Sequence, residues 1–147
     1  MLRYILILLI VVPFTSELRS QDIAKHRWQN RLIMVIVKDY NNETFIEQLS
    51  VLNTCKAGLL ERKLLIYQIL PDKYKVSATY GNEVSWNSGN LLFEQFRSSD
   101  ASFEIILVGL DGGIKLRKQD LLDCKELWAV IDNMPMRQAE IRSEKSP

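Results

Sequence analysis

Apolar runs separated by polar segments set the pattern of this chain. Six consecutive apolar residues lie between Arg31 and Lys38, and two further runs cover Lys63 to Leu70 and Phe103 to Leu110. Continuous apolar runs of this length are typical of central strands that are covered on both faces. Asp111-Gly112-Gly113 follows the third run and predicts a type I′ hairpin turn, with a return strand at 114–117.

Helical spacing of apolar residues predicts three helices. The first has its N-cap among residues 41, 42 and 44, ends near Gly58, and carries one apolar stripe: Phe45, Leu49, Leu52 and Leu59. A short helix is expected at 90–96. The last helix is expected at 119–133, where Pro135 ends it, and its stripe is Leu121, Cys124, Trp128 and Ile131.

Two segments are less regular. Residues 21–30 are polar apart from Ile23 and Trp28, and they predict a lead-in segment that docks through Trp28. Residues 71–88 contain several turn formers and suggest a short strand at 76–80.

The order of these elements is β-α-β, a connection with a short helix, a β-hairpin and a final helix. The first half requires a parallel crossover and the hairpin is antiparallel, so the sheet is mixed. Strands this apolar need helices on both faces of the sheet. The sequence therefore predicts an α/β fold of the thioredoxin-like type, with a central mixed sheet and helices on both faces.

The first twenty residues have the pattern of a signal peptide. Arg3 supplies a positive start, and the run from Tyr4 to Phe14 is about half the length that a membrane-spanning helix needs. We expect cleavage after Ser20 and export to the periplasm or the extracellular space; a buried strand or an uncleaved anchor is the alternative. This divides the chain into a signal peptide at 1–20, a domain at 21–141 and a charged tail at 142–147.

Composition narrows the possible functions. The chain has 147 residues, of which 47% are hydrophobic, and a net charge of +1, so it has room for one domain and no charge bias toward nucleic acid. We expect no contact with a membrane after signal cleavage. His26 is the single histidine, which excludes a multi-histidine metal site, and no metal or cofactor is expected.

Four segments resemble the DUF4174 domain family: WQNRLIMVIVKD (28–39), ERKLLIY (61–67), FEIILVGLDGGIKLR (103–117) and LWAVIDNMPMRQAEI (127–141). The most specific part is the DGG-x-K-x-R hairpin followed by ID-x-MPMR. The resemblance implies a thioredoxin- or peroxiredoxin-like fold in small exported bacterial proteins and in modules of secreted vertebrate matrix proteins. It implies no particular activity.

A redox thioredoxin places C-x-x-C between its first strand and first helix, but residues 38–42 contain no cysteine. Ala101-Ser102 also stands where a thioredoxin has a proline before its third strand. Cys55 and Cys124 remain, on helices expected to cover the same face of the sheet. They could be separate core residues, a structural disulfide, or the catalytic thiols of an oxidoreductase.

Four basic residues could form an anion site: Arg62, Lys115, Arg117 and Arg137. Guanidinium and ammonium groups that converge can hold a carboxylate or a phosphate. The alternative is that Arg62 and Arg137 pair with acidic neighbours, namely Glu61, Asp132 or Glu140. His26 is interpreted as a surface or docking residue, and Met134-Pro135-Met136 as a packed helix end.

The sequence favours an exported, non-catalytic binding or structural module, whose partner is an unknown protein or a small anionic ligand. The alternative is a peroxiredoxin-like thiol oxidoreductase that uses Cys55 or Cys124. The missing C-x-x-C motif weighs against an enzyme.

Overall fold

A computed structural model describes residues 21–77, 85–98 and 100–146. The expected signal peptide at 1–20 lies outside these residues. The described strands are β1 (Arg31–Val37), β2 (Leu64–Ile69), β3 (Lys73–Ser77), β4 (Asn87–Ser88), β5 (Phe103–Val108) and β6 (Ile114–Lys118). The described helices are α1 (Gln21–Ala24), α2 (Glu43–Thr54), α3 (Lys56–Glu61), α4 (Leu91–Phe96), α5 (Cys124–Asp132) and α6 (Pro135–Glu144).

The strands form one mixed sheet in the order β4-β3-β2-β1-β5-β6. β1 and β2 are parallel, with Arg31 opposite Leu64, and β5 runs antiparallel to both β1 and β6. The predicted mixed α/β architecture is therefore confirmed. The parallel crossover followed by an antiparallel hairpin is consistent with a thioredoxin-like fold.

Helices cover both faces of the sheet, as the apolar strands require. All seven residues of β1 are buried. Ile33, Val35 and Val37 face α2, α3 and α5, whereas Leu32, Met34 and Ile36 pack with Leu92 and Phe93 of α4. Alternate side chains of one strand thus supply two separate cores.

Several predicted helix boundaries need correction. The first helix is divided in two at Cys55, and Gly58 lies inside α3 instead of ending it. The last helix begins at Cys124, not at residue 119, because the Asp123 side chain accepts a 2.7 Å hydrogen bond from the Glu126 amide and caps it. Pro135 does not merely end α5 but opens α6, where its missing N–H costs no helical hydrogen bond.

Other predicted details also change. Asn42 is the N-cap of α2, with Oδ1 accepting a 3.0 Å hydrogen bond from the Phe45 amide. The strand suggested at 76–80 begins earlier, at Lys73, and residues 78–80 lie outside the described residues. The helix α6 continues to Glu144, into the segment predicted as a tail. Within the described part of the chain, no helix is both long and apolar enough to cross a membrane.

Candidate functional site

A groove of about 600 Å³ lies where the β5–β6 hairpin meets the junction of α5 and α6. Its lining is mainly apolar and comes from three separate parts of the chain, at 28–31, 109–115 and 130–136. Residues that matter for its chemistry are Trp28, Arg31, Leu110, Lys115, Met134 and Met136. A concave, mainly apolar surface with a few polar groups is the usual form of a small-molecule site.

The hairpin that forms one wall is a three-residue turn, not the predicted type I′ turn. Gly109 N–H donates to the Gly113 carbonyl (2.9 Å), and Gly112 N–H donates to the Gly109 carbonyl (3.0 Å). Gly112 has φ +80°, whereas Gly113 has no positive φ, and a type I′ turn needs two such residues. The turn holds Lys115 Nζ 2.7 Å from Asp111 Oδ2 at the groove. The hydrogen bond from Lys115 lowers the pKa of Asp111.

Trp28 stands beside the hairpin in an unusual conformation. Its N–H donates a 2.7 Å hydrogen bond to the Leu110 carbonyl, and its φ is +68°. The residue is 63% exposed, so it docks the lead-in segment through this backbone hydrogen bond and not through a buried side chain. A left-handed backbone is costly for a large side chain, and such residues concentrate at functional sites.

The junction of α5 and α6 forms the opposite wall. Met134 is the N-cap residue of α6 and makes no capping hydrogen bond with its side chain, since a thioether is a weak acceptor. Met134, Pro135 and Met136 all line the groove. The N-terminus of α6, with its positive partial charge, is therefore part of this wall.

Arg31 also lines the groove, and the sequence analysis missed it. It is fully buried, although it lies at the start of β1. Its Nη1 donates to the Arg62 carbonyl (2.9 Å) and to Glu140 Oε2 (3.2 Å). Its Nε and Nη2 have no hydrogen-bond partner among the described residues. Buried donors without a partner are uncommon and call for an explanation.

A family model described as a domain of unknown function, DUF4174, matches residues 22–140. This chain belongs to the DUF4174 family. The resemblance stated from the sequence is thereby confirmed. No curated protein matches this DUF4174 chain. No solved structure matches it either.

The two segments that carried the DUF4174 resemblance most specifically face each other across the groove. Asp111 and Lys115 belong to the DGG-x-K-x-R hairpin, and Met134 to Met136 belong to ID-x-MPMR. Much of the groove is therefore lined by the two segments that carried the resemblance most specifically.

Arg62 and Arg137 meet in a salt-bridge cluster behind the groove. Arg62 donates through Nε and Nη2 to the two carboxylate oxygens of Asp132, at 2.9 and 2.7 Å. Arg137 is 2% exposed and contacts Glu61, Asp132 and Glu140. These are the acidic neighbours that the alternative interpretation named.

Two carboxylates of this cluster, Asp132 and Glu140, have pKa values below their ordinary values. The hydrogen bond from Arg62 lowers the pKa of Asp132. Burial alone would raise the pKa of Glu140, but the charges of Arg31 and Lys63 outweigh it, and the pKa lies below its ordinary value.

The other two predicted anion-binding residues lie elsewhere in the DUF4174 domain. Arg117 donates a 2.6 Å hydrogen bond to Glu104 Oε1, and Glu104 is 1% exposed. Burial would raise the pKa of Glu104, but hydrogen bonds from Ser98 and Arg117 bring it below its ordinary value. Lys115 is at the groove and pairs with Asp111. The structure thus brings Arg62 and Arg137 together and places Lys115 and Arg117 in two separate ion pairs.

Cys55 and Cys124 form a disulfide, with their Cα atoms 6.5 Å apart. It joins the point where α2 gives way to α3 to the first residue of α5. Of the three arrangements considered for the two cysteines, the structure therefore contains the disulfide. Sequence reasoning placed both helices on one face but could not give the distance between the residues.

Two further predicted features have structural partners. His26 Nε2 lies 2.7 Å from the buried Tyr67 hydroxyl, so His26 contacts the domain core.

In the loop at 38–42, Asp39 Oδ1 accepts a 2.9 Å hydrogen bond from the Asn41 amide, and Asn42 caps α2. These side chains shape the turn between β1 and α2, where the sequence analysis looked for a dithiol and found no cysteine. No group of three residues suited to hold a metal occurs in the described ranges.

Proposed function

We propose that this chain is an exported, non-catalytic binding module of thioredoxin-like fold, active in the periplasm or outside the cell, that holds its ligand in the groove. The single observation that carries the proposal is the groove itself, built from three distant segments. Its wall includes an exposed tryptophan held in a left-handed conformation. A non-catalytic site requires only shape and a few fixed polar groups, and the groove provides both.

The disulfide supports the structural and compartmental parts of this proposal. Disulfides persist in oxidising compartments outside the cytosol. A disulfide across a sequence separation of 69 residues raises the free energy of unfolding by about 4 kcal/mol, because it restricts the unfolded chain. It ties together two helices of one face, which keeps α5, and hence the helix junction at the groove, in place.

A thiol oxidoreductase is the second candidate, and one observation favours it. Cys124 is the first residue of α5, and reactive cysteines are often found at helix N-termini. The loop at 38–42 contains no cysteine, so any exchange would have to use Cys55 and Cys124 at another place on the fold.

Methionine-methyl NMR tests binding directly, because the three methionines among the described residues report on two different places, the groove and the core. Met134 and Met136 line the groove, whereas Met34 is fully buried in the core with α4. A fragment set of small amphipathic molecules should contain members that shift the Met134 and Met136 methyl signals and leave Met34 in place. A set in which no member shifts the two groove signals would overturn the proposal.

A redox assay separates the two candidates. The intact mass of the protein should show the disulfide, and glutathione at cellular concentration should leave it intact. The protein should not accelerate insulin reduction or peroxide consumption above a Cys55→Ser/Cys124→Ser control. Turnover that this double variant abolishes would establish the oxidoreductase instead.

A further inference from the structure

The unpaired edge of Arg31 indicates what the groove binds. A guanidinium group offers its donors on distinct edges, and Arg31 uses Nη1 alone, toward Arg62 and Glu140. Nε and Nη2, which form the opposite edge, have no partner within the described ranges, and the side chain is fully buried. A buried guanidinium loses its hydrogen bonds to water, and the protein replaces only those of Nη1. The two unreplaced sets of hydrogen bonds cost free energy.

The neighbouring Arg62 shows what such an edge accepts. Its Nε and Nη2 hold both oxygens of the Asp132 carboxylate, at 2.9 and 2.7 Å. This is the bidentate arrangement in which the planar guanidinium matches a carboxylate. Arg31 presents the same pair of donors without the carboxylate.

The charge around Arg31 also favours an anion. The cluster behind the groove contains four basic side chains, Arg31, Arg62, Lys63 and Arg137, but three acidic ones, Glu61, Asp132 and Glu140. At the groove itself, Asp111 is neutralised by Lys115. The N-terminus of α6 adds a positive partial charge on the same wall. One negative ligand group would balance the cluster.

We propose that the groove binds a small monocarboxylic acid with an apolar body. Its carboxylate would pair with Nε and Nη2 of Arg31, and its apolar part would lie against Trp28, Leu110 and the two methionines. This inference rests on the proposed binding function and names the ligand class for that site.

Entry to Arg31 requires side chains above it to move, since the guanidinium itself is closed to solvent. The side chains that would move are the two methionines of the groove. Met134 and Met136 line it, Met136 is 39% exposed, and methionine side chains adapt their shape at low cost. The groove methyl signals therefore report the same movement that binding needs.

The experiment compares 3-phenylpropionate with 3-phenylpropionamide, which has the same shape and no charge. Both are titrated into the full chain while the Met134, Met136 and Met34 methyl signals and the arginine Nε–H signals are followed. We expect the acid to bind at least about tenfold more tightly than the amide, because one charged bidentate pair is at stake. The Arg31 Nε–H signal should shift with the acid and stay in place with the amide.

Arg31→Lys is the matched variant. It retains a positive charge near Glu140 but lacks the two-donor edge, so the preference for the acid should fall to about twofold or less. Arg142→Lys, at an exposed position of α6, is the control and should keep the full preference. An unchanged Met34 signal verifies that the variant is folded. If Arg31→Lys does not fold, the acid-to-amide ratio and the Arg31 Nε–H signal of the unaltered protein still decide the matter.

The outcomes separate this inference from the proposed function. Equal binding of acid and amide at the groove, or no response of Arg31 Nε–H to the acid, would refute the carboxylate assignment and leave a binding groove. Neutral fragments that bind while the acid does not would have the same meaning. Groove signals that respond to no fragment of either kind would overturn the binding function itself.

Discussion

The side chain of Gln48 forms the hydrogen bonds that the backbone of Leu122 would otherwise lack. It is fully buried in α2, and its amide exchanges two hydrogen bonds with Leu122: Nε2 donates to the carbonyl (2.9 Å), and Oε1 accepts from the N–H (2.8 Å). Leu122 precedes the Asp123 cap of α5 and is itself buried. The glutamine thus replaces the strand or helix partner that this connecting segment lacks.

Replacing Gln48 by leucine should destabilise the protein by about 2 kcal/mol or more. The variant keeps the volume and gains apolar surface, but it leaves a buried N–H and a buried carbonyl without partners. Urea denaturation of Gln48→Leu and of the exposed-site control Gln95→Leu measures the difference. Equal stability of the two variants would show that Leu122 finds other partners.

Replacing Gly58 by alanine tests how tightly Trp128 packs on α3, because a looser contact would raise the stability and a tight one would lower it. A Cβ at this position would lie 2.5 Å from Cζ2 of Trp128, whose ring also lies 4.3 Å from the guanidinium of Arg62. Gly→Ala at an open helical site stabilises by about 1 kcal/mol, but overpacking costs about 1–3 kcal/mol. We therefore expect Gly58→Ala to lower the melting temperature.

The neighbouring exposed Ala57 of α3 serves as the control for helix propensity. Ala57→Gly should lower stability by about 1 kcal/mol through propensity alone. A Gly58→Ala variant that is more stable than the parent would mean that Trp128 moves freely and does not depend on the glycine.

At the scale of elements, the strands could be predicted better than the helix ends. The strands are continuous apolar runs whose buried faces follow directly from composition, and β1, β2 and β5 lie close to their predicted ranges. Helix ends depend on single capping contacts. Asp123 as the N-cap of α5 and Pro135 as the first residue of α6 are both helix-start signals, and the apolar stripe obscured them.

The disulfide between the α2–α3 junction and α5 should contribute much of the stability. We expect Cys55→Ser/Cys124→Ser to unfold at lower urea concentration, with a loss of about 4 kcal/mol from the greater freedom of the unfolded chain. The unaltered protein in dithiothreitol should match the double variant. If the double variant and the reduced protein unfold at the same urea concentration as the unaltered protein, the disulfide does not have the structural role proposed for it.

At the scale of the whole molecule, ion pairs between distant segments set the pH dependence of stability. Asp132, Glu140 and Glu104 all have folded-state pKa values below their ordinary values. The unfolded chain then binds protons more readily, so these groups stabilise the fold above about pH 4–5, and the stabilisation is lost as pH falls through their folded-state pKa values.

We expect the free energy of unfolding to fall steadily as the pH is lowered from about 5 to below 3. Asp132→Asn removes one of these titrating groups and should make the decline shallower while lowering stability at neutral pH. Urea denaturation at several pH values measures both effects. A flat profile across this range would contradict the assigned ion pairs.

The candidate site could be predicted only in part, because it is a product of tertiary structure. The sequence pointed to the two segments that build its walls and to the cations Arg62, Lys115, Arg117 and Arg137. It gave no sign of Arg31, whose burial depends on the pairing of β1 with β2 and on the approach of Glu140 from α6. It named carboxylate partners for Arg62 and Arg137 only as an alternative, because Glu61 lies 76 residues from Arg137 and nothing in the sequence shows that they meet.

Titration of the full chain with 3-phenylpropionate, followed through its methionine methyl signals, tests the central claim most directly. The account predicts that Met134 and Met136 shift together and saturate, that Met34 stays in place, and that 3-phenylpropionamide binds at least about tenfold more weakly. Groove signals that do not respond to either compound or to any other fragment, or a uniform shift that includes Met34, would contradict a specific ligand site at this groove.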